Sequence, residues 1–174
     1  MSRETPDSAA AGRETSLPAR LVAGLLGAGT RALQLVAAVL LLAMMAVTFV
    51  DVIGRYLFNA PLPGAFELTE VLLALIVFVG LPIVTARREH VTVDLLTGKL
   101  PDGARAALAW LATLATGAVL ALLAWRLALS ARDFSAYGDA TVYLGIPLGP
   151  VAGIMAGLTG LAALVAAVLL ARRQ

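Results

Sequence analysis

Four long stretches of this chain are apolar and carry no charge. They run over residues 32–50, 71–86, 106–125 and 140–171. About 20 helical residues, each rising 1.5 Å, cross a hydrocarbon core of roughly 30 Å. The pattern therefore predicts an all-α polytopic membrane protein with four transmembrane helices.

The ends of each span follow from the polar residues that flank it. Residues 1–28 are mostly small and polar, which predicts a mobile cytoplasmic tail. The four-helix transmembrane domain then occupies residues 29–172. Its predicted spans cover about residues 32–56, 66–86, 105–127 and 148–171.

The last apolar stretch is too long for one straight span. Pro147 and Pro150 indicate where it divides, because proline at the start of a helix loses no needed hydrogen bond. This favours an interfacial segment over residues 138–148 followed by a helix. A single helix kinked at the prolines is the alternative.

Composition and charge support a membrane protein. Of the 174 residues, 60% are hydrophobic and 14% are charged, against roughly 25% charged in soluble domains. Ten of the 13 Lys and Arg residues fall on one side of the predicted membrane, so the positive-inside rule places both termini in the cytoplasm. Because these residues lie at the ends of spans and form no basic stripe, nucleic-acid binding is not expected.

The centres of the four spans contain no ionisable residue. Carboxylates and bases inside a membrane usually mark ion or proton pathways, and a self-contained cation-coupled carrier would need one. The chain has no Cys and one His, so no metal site, cofactor or catalytic residue is expected. The central polar residues are hydroxyls that can bond a carbonyl one turn back, such as Thr48, Thr113, Thr116 and Thr159.

The charged stretch DVIGRYLFNAPLPGAFELTE begins at Asp51 and joins the first two spans. Asp51 and Arg55 are four residues apart and can pair on one helix face. Asn59 opens a turn, and Glu67 and Glu70 fall in the first turn of the next helix, where the dipole favours anions. The four charges form either a network that closes the hairpin or a rim where a partner binds.

Two further sets of residues are candidates for contacts. His90 and Asp94 follow the second span in a short amphipathic segment, and a proton relay there lacks an intramembrane acceptor. Gly149, Gly153 and Gly157 recur every four residues in the last span. Such a spacing lets helices approach closely in lipid, within the four-helix unit or against a second membrane protein.

Three segments together resemble a known family. These are FVDVIGRYLFNAPLPGAFELTE at 49–70, GLPIVTARREHVTVDLL at 80–96 and LGIPLGPVAGIM at 144–155. In this order they resemble the small four-helix membrane subunit of tripartite ATP-independent periplasmic (TRAP) transporters, over about residues 30–172.

The resemblance implies a subunit of the bacterial inner membrane. It would work with a large multi-span permease subunit, which moves an organic acid on a sodium gradient, and with a periplasmic solute-binding receptor. The small subunit would brace the large one and contact membrane lipid. The residues that match the family's outer hairpin are Asp51, Arg55, Asn59, Pro61, Pro63, Gly64 and Glu67, and His90 and Asp94 match its cytoplasmic motif.

Two other functions compete with this one. A stand-alone small exporter that works as a homo-oligomer would need an essential carboxylate in the membrane, which the spans lack. A membrane enzyme would need clustered acids, histidines or metal ligands near an interface, and one His with scattered acids is a poor set. The transported substrate does not follow from the sequence.

Overall fold

The structure is a computed structural model that describes residues 17–87 and 102–171, with side chains described over 27–86 and 107–171. Each of its four helices contains an apolar stretch long enough to cross a membrane. The predicted all-α fold with four transmembrane helices is therefore confirmed. The helices are α1 (Leu17–Leu57), α2 (Ala65–Arg87), α3 (Asp102–Tyr137) and α4 (Leu148–Ala171).

Two helices extend beyond the spans expected from hydropathy. The helix α1 begins at Leu17, inside the segment predicted as a tail, with Pro18 in its first turn, where proline is tolerated. The helix α3 continues past residue 127 to Tyr137. Hydropathy marks only the part of a helix that lies within the hydrocarbon core. The charged last turns of α3 can therefore remain helical in the interface.

The end of α3 is set by its glycine cap. Gly138 has a φ of 69°, a left-handed conformation in which glycine is favoured. The N–H of Asp139 then donates to the carbonyl of Phe134 at 2.9 Å, the backbone bond that closes a Schellman motif. Residues 138–147 are non-helical and α4 starts at Leu148, so the last apolar stretch is a loop followed by a helix, not one kinked helix.

The helices lie side by side in the order α1, α2, α4, α3. Among the described residues, the extensive contacts join α1 to α2, α2 to α4, and α4 to α3. The two inner helices, α2 and α4, therefore each have two neighbours. The helices α1 and α3 have one extensive neighbour each, and most of their apolar side chains are exposed.

Small side chains allow α4 to sit between α2 and α3. Gly149 lies directly against Ser135 of α3, and a Cβ placed on Gly117 of α3 would be 3.7 Å from the Cβ of Ala166. These two pairs show α3 and α4 packed antiparallel along their lengths. Close approach of this kind is how helices associate in lipid, where apolar side chains gain little from leaving it. The buried residues of α4 are Gly149, Ala152, Thr159, Ala162, Val165 and Ala166.

Three of the four central threonine hydroxyls named in the sequence analysis bond their own helix, as predicted. Thr48, Thr113 and Thr159 each donate to the carbonyl oxygen four residues earlier, at 2.9, 2.8 and 2.7 Å. Thr159 is fully buried. Because each hydroxyl bonds its own helix, none needs a ligand or a neighbouring helix to complete its hydrogen bonds.

We expect Gly149→Ala to destabilise the chain, because its new Cβ would run into Ser135. Overpacking of this kind costs about 1–3 kcal/mol. Gly153→Ala is the matched control: nothing lies within 4 Å of its added Cβ, and alanine favours a helix over glycine by about 1 kcal/mol. Thermal unfolding in a mild detergent measures both variants. Equal midpoints would show that α3 does not approach α4 at Gly149.

Candidate functional site

The two loops of the described structure lie at the same end of the helices, which we call the loop end. The first loop (residues 58–64) joins α1 to α2, and the second loop (residues 138–147) joins α3 to α4. Most of the residues singled out in the sequence lie here. The site is therefore built from the last turns of α1 and α3 and the first turns of α2 and α4.

Asp51 connects the end of α1 to the first loop. Its Oδ2 accepts a hydrogen bond from the Arg55 guanidinium at 2.8 Å, the predicted i to i+4 ion pair. Its Oδ1 accepts from the backbone N–H of Leu62 at 3.0 Å. The Asp51 side chain is 15% exposed and that of Arg55 58%. The aspartate thus holds the loop, while the arginine leaves much of its charge available to a partner.

The first loop folds back closely over the end of α1. The carbonyl of Gly54 accepts from Phe58 N at 3.2 Å and from Ala60 N at 2.9 Å. A Cβ on Gly54 would lie 2.6 Å from the carbonyl oxygen of Ala60, so a side chain cannot be added without moving backbone. Asn59, within the turn, has a φ of 52°, a conformation that asparagine tolerates better than most residues.

Glu67 links the two loops. It lies in the first turn of α2, and its Oε1 and Oε2 accept from the backbone N–H groups of Tyr143 at 2.8 Å and Leu144 at 3.0 Å. The side chain of Leu144 in turn packs on the backbone of Gly64, where a Cβ would lie 2.6 Å from its Cγ. The second loop is thereby fixed on the start of α2.

The second loop also holds its own shape. Leu148 N donates to the Asp139 carbonyl and Thr141 N to the Ile146 carbonyl, both at 3.0 Å. The Thr141 hydroxyl accepts from Ile146 N at 3.0 Å, and Gly145 adopts a φ of 63°. These three hydrogen bonds join the two arms of the second loop, in addition to the two bonds that Glu67 accepts from it. Such a loop presents its outward side chains in a defined arrangement.

The four charged residues that lie close together in the sequence contact different parts of the structure. Asp51 and Arg55 act on the first loop, whereas Glu67 bonds to the second loop and to no residue of its own hairpin. Glu70, one turn further along α2, is exposed and makes no hydrogen bond or ion pair within the described residues. His90 and Asp94 lie outside the described residues.

The glycines of α4 also lie in different environments. Gly149 is buried against α3, but Gly153 and Gly157 are exposed and have no atom within 4 Å of an added Cβ. They share an exposed stripe of α4 with larger apolar residues. Of the two interpretations, packing inside the unit applies to Gly149, while Gly153 and Gly157 are left free to meet lipid or a partner.

Large apolar and aromatic side chains surround the loop end. Phe66 is 80% exposed, Tyr137 81% and Val142 91%. Patches of this kind mark a contact with a protein or a membrane. In the described parts of the chain, no three His, Asp or Glu side chains lie close enough to hold a metal ion. The loop end exposes large apolar and aromatic side chains together with the charged side chains of Arg55, Glu70 and Arg132. The other large exposed side chains here are Tyr56, Leu57, Phe58 and Tyr143.

The roles of some residues of the site could not be identified from the sequence. Gly54 is one glycine among 16, and only the folded loop shows why it has no side chain. The backbone N–H groups of Tyr143 and Leu144 carry no sequence signal at all. Thr141 could have been suspected, since it closely follows Gly138 and Asp139, and threonine hydroxyls often bond nearby backbone in turns.

One comparison identifies relatives of this chain. A family model described as "Tripartite ATP-independent periplasmic transporters, DctQ component" matches residues 44–174, about three quarters of the sequence. The match includes all of the loop end and the whole of α2, α3 and α4. A comparison with curated proteins returned no match.

We expect Glu67→Ala to release the second loop, because the backbone N–H groups of Tyr143 and Leu144 lose their acceptor. Hydrogen–deuterium exchange at those two amides should become markedly faster, while exchange in the middle of α4 stays unchanged. Glu70→Ala is the control, since it removes a carboxylate from the same helix end without removing a bond. If Glu67→Ala leaves both amides as protected as before, Glu67 does not hold the loop.

Proposed function

Because the chain belongs to the DctQ family of tripartite ATP-independent periplasmic transporter components, we propose that it is the small permease subunit of a sodium-gradient-driven organic acid uptake system. Its partners are a large multi-span permease subunit and a periplasmic solute-binding protein. The membrane is the bacterial inner membrane. The observation that carries this proposal is the family match over residues 44–174.

The role of the chain within that system is to brace the large subunit. The centres of its spans contain no ionisable side chain, so they offer no place for a carboxylate substrate or a sodium ion. The end helix α1 has no buried residue in its span and one extensive neighbour. A helix in this position can lie along a second membrane protein without rearranging the other three. Its exposed large apolar residues include Leu35, Leu42, Met45 and Phe49.

The orientation follows from the charges. Ten of the 13 Lys and Arg residues lie within residues 1–31, 87–105 or 172–174, so both termini are cytoplasmic. The loop end then faces the periplasm. There, its exposed aromatic residues and Arg55 are placed to contact the large subunit or the receptor.

Purification and transport together test the proposal. The chain, expressed with a candidate large permease subunit of this family, should co-purify with it in a mild detergent. Vesicles holding both, supplied with the receptor and a sodium gradient, should accumulate a carboxylate. Vesicles that hold this chain alone should accumulate none. Sodium-driven uptake by the chain alone would contradict the bracing role and favour a stand-alone transporter.

Charge reversal tests the loop end as a contact surface. Arg55→Glu removes an ion pair which, at such exposure, contributes at most about 1 kcal/mol to stability, so the fold should survive. We expect this variant to assemble poorly with the large subunit or the receptor and to lower uptake. Arg126→Glu, a reversal at an exposed position of α3, is the control and should be tolerated better. Equal uptake by both variants would remove any special role for Arg55.

A further inference from the structure

A recess opens between helices at the end of the molecule opposite the loops. It has a volume of about 360 Å³ and is lined by one face of α1, by Ala86 of α2 and by Val165 and Leu169 of α4. This volume falls within the roughly 300–1,000 Å³ of small-ligand sites. The α1 residues are Gly27, Thr30, Arg31 and Gln34.

Its depth matches the headgroup region of a leaflet. Arg31 precedes Asp51 by 20 residues on α1, which is about 30 Å along the helix. Ala86 follows Glu67 by 19 residues on α2, and Leu169 follows Leu148 by 21 on α4. All three helices therefore place the recess about one hydrocarbon thickness from the charged residues and loops at the other end.

The lining combines one positive charge with polar and apolar walls. Among the described residues, Arg31 forms no ion pair, and its guanidinium has five donors in a planar fork that suits a phosphate. Gln34, nearly one turn further along α1, adds an amide. The Thr30 hydroxyl already donates to the Gly27 carbonyl at 3.0 Å. Val165 and Leu169 form an apolar wall suited to an acyl chain.

We propose that this recess binds the headgroup of an anionic phospholipid, with Arg31 as the phosphate-binding residue. The lipid phosphate accepts hydrogen bonds from Arg31 and Gln34, and one acyl chain lies along α4. An arginine near a lipid is costly to leave without a counter-charge, and basic pockets between transmembrane helices bind anionic headgroups. This inference is independent of the transport role, since it concerns only the chain's own helices.

The test compares two lipids that differ only in the headgroup. The full chain is purified in a mild detergent, incubated with phosphatidylglycerol or phosphatidylcholine with the same acyl chains, and examined by native mass spectrometry. We expect one phosphatidylglycerol molecule to be retained at least about tenfold more than phosphatidylcholine, as a charge-assisted contact implies. Equal retention of the two lipids in the unaltered chain would overturn the proposal without any variant.

Variants locate the site. Arg31→Gln should lower phosphatidylglycerol retention to the level of phosphatidylcholine, and Val165→Trp should lower retention of both by filling the recess. Arg126→Gln removes an equivalent charge elsewhere and should change nothing. Unchanged selectivity in Arg31→Gln would overturn the assignment. If glycerol 3-phosphate displaces the lipid as well as phosphatidylglycerol itself does, the recess binds a soluble phosphate and the lipid proposal is wrong.

Discussion

The close packing of α4 between α2 and α3 is the interaction on which the rest of the structure depends. Helices in lipid gain little from burying apolar surface and associate where small residues let their backbones approach. Gly149 and Ala166 supply such positions on the α3 side of α4. In this arrangement, α4 lies between α3, which precedes it in the chain, and α2. It also carries the second loop to the start of α2, where Glu67 can hold it.

Much of the fold could be predicted from the sequence, because it depends on local physics. Four uncharged stretches of sufficient length define the helices, and a spacing of four residues defines the Asp51–Arg55 pair. The bonds of Glu67 could not be predicted, since they join residues 76 and 77 positions apart through the spatial order of the helices. The different environments of the α4 glycines could not be predicted from their spacing either. Residues four apart on a helix differ in direction by about 40°, so Gly149 faces α3 while Gly157 faces outward.

The distribution of charge supports the proposal that this chain works by contact. Every charged side chain placed by the structure lies outside the four uncharged apolar stretches, and within those stretches the hydroxyls of Thr48, Thr113 and Thr159 bond their own backbone. A subunit built this way can present a large, chemically inert surface in the membrane. In the proposed role, selectivity for a partner would come from the loop end, where large aromatic side chains and the arginines Arg55 and Arg132 are exposed.

The described contacts at the two ends of the helices bear on the proposed role of the chain as a brace. At the loop end, hydrogen bonds from Asp51 and Glu67 fix both loops to the helices. At the opposite end, residues of α1, α2 and α4 line a recess that includes Arg31. A phosphate held between Arg31 and the neighbouring helices would supply there the contact that the loops supply at the other end, so the lipid and the loops would together set the position of α1.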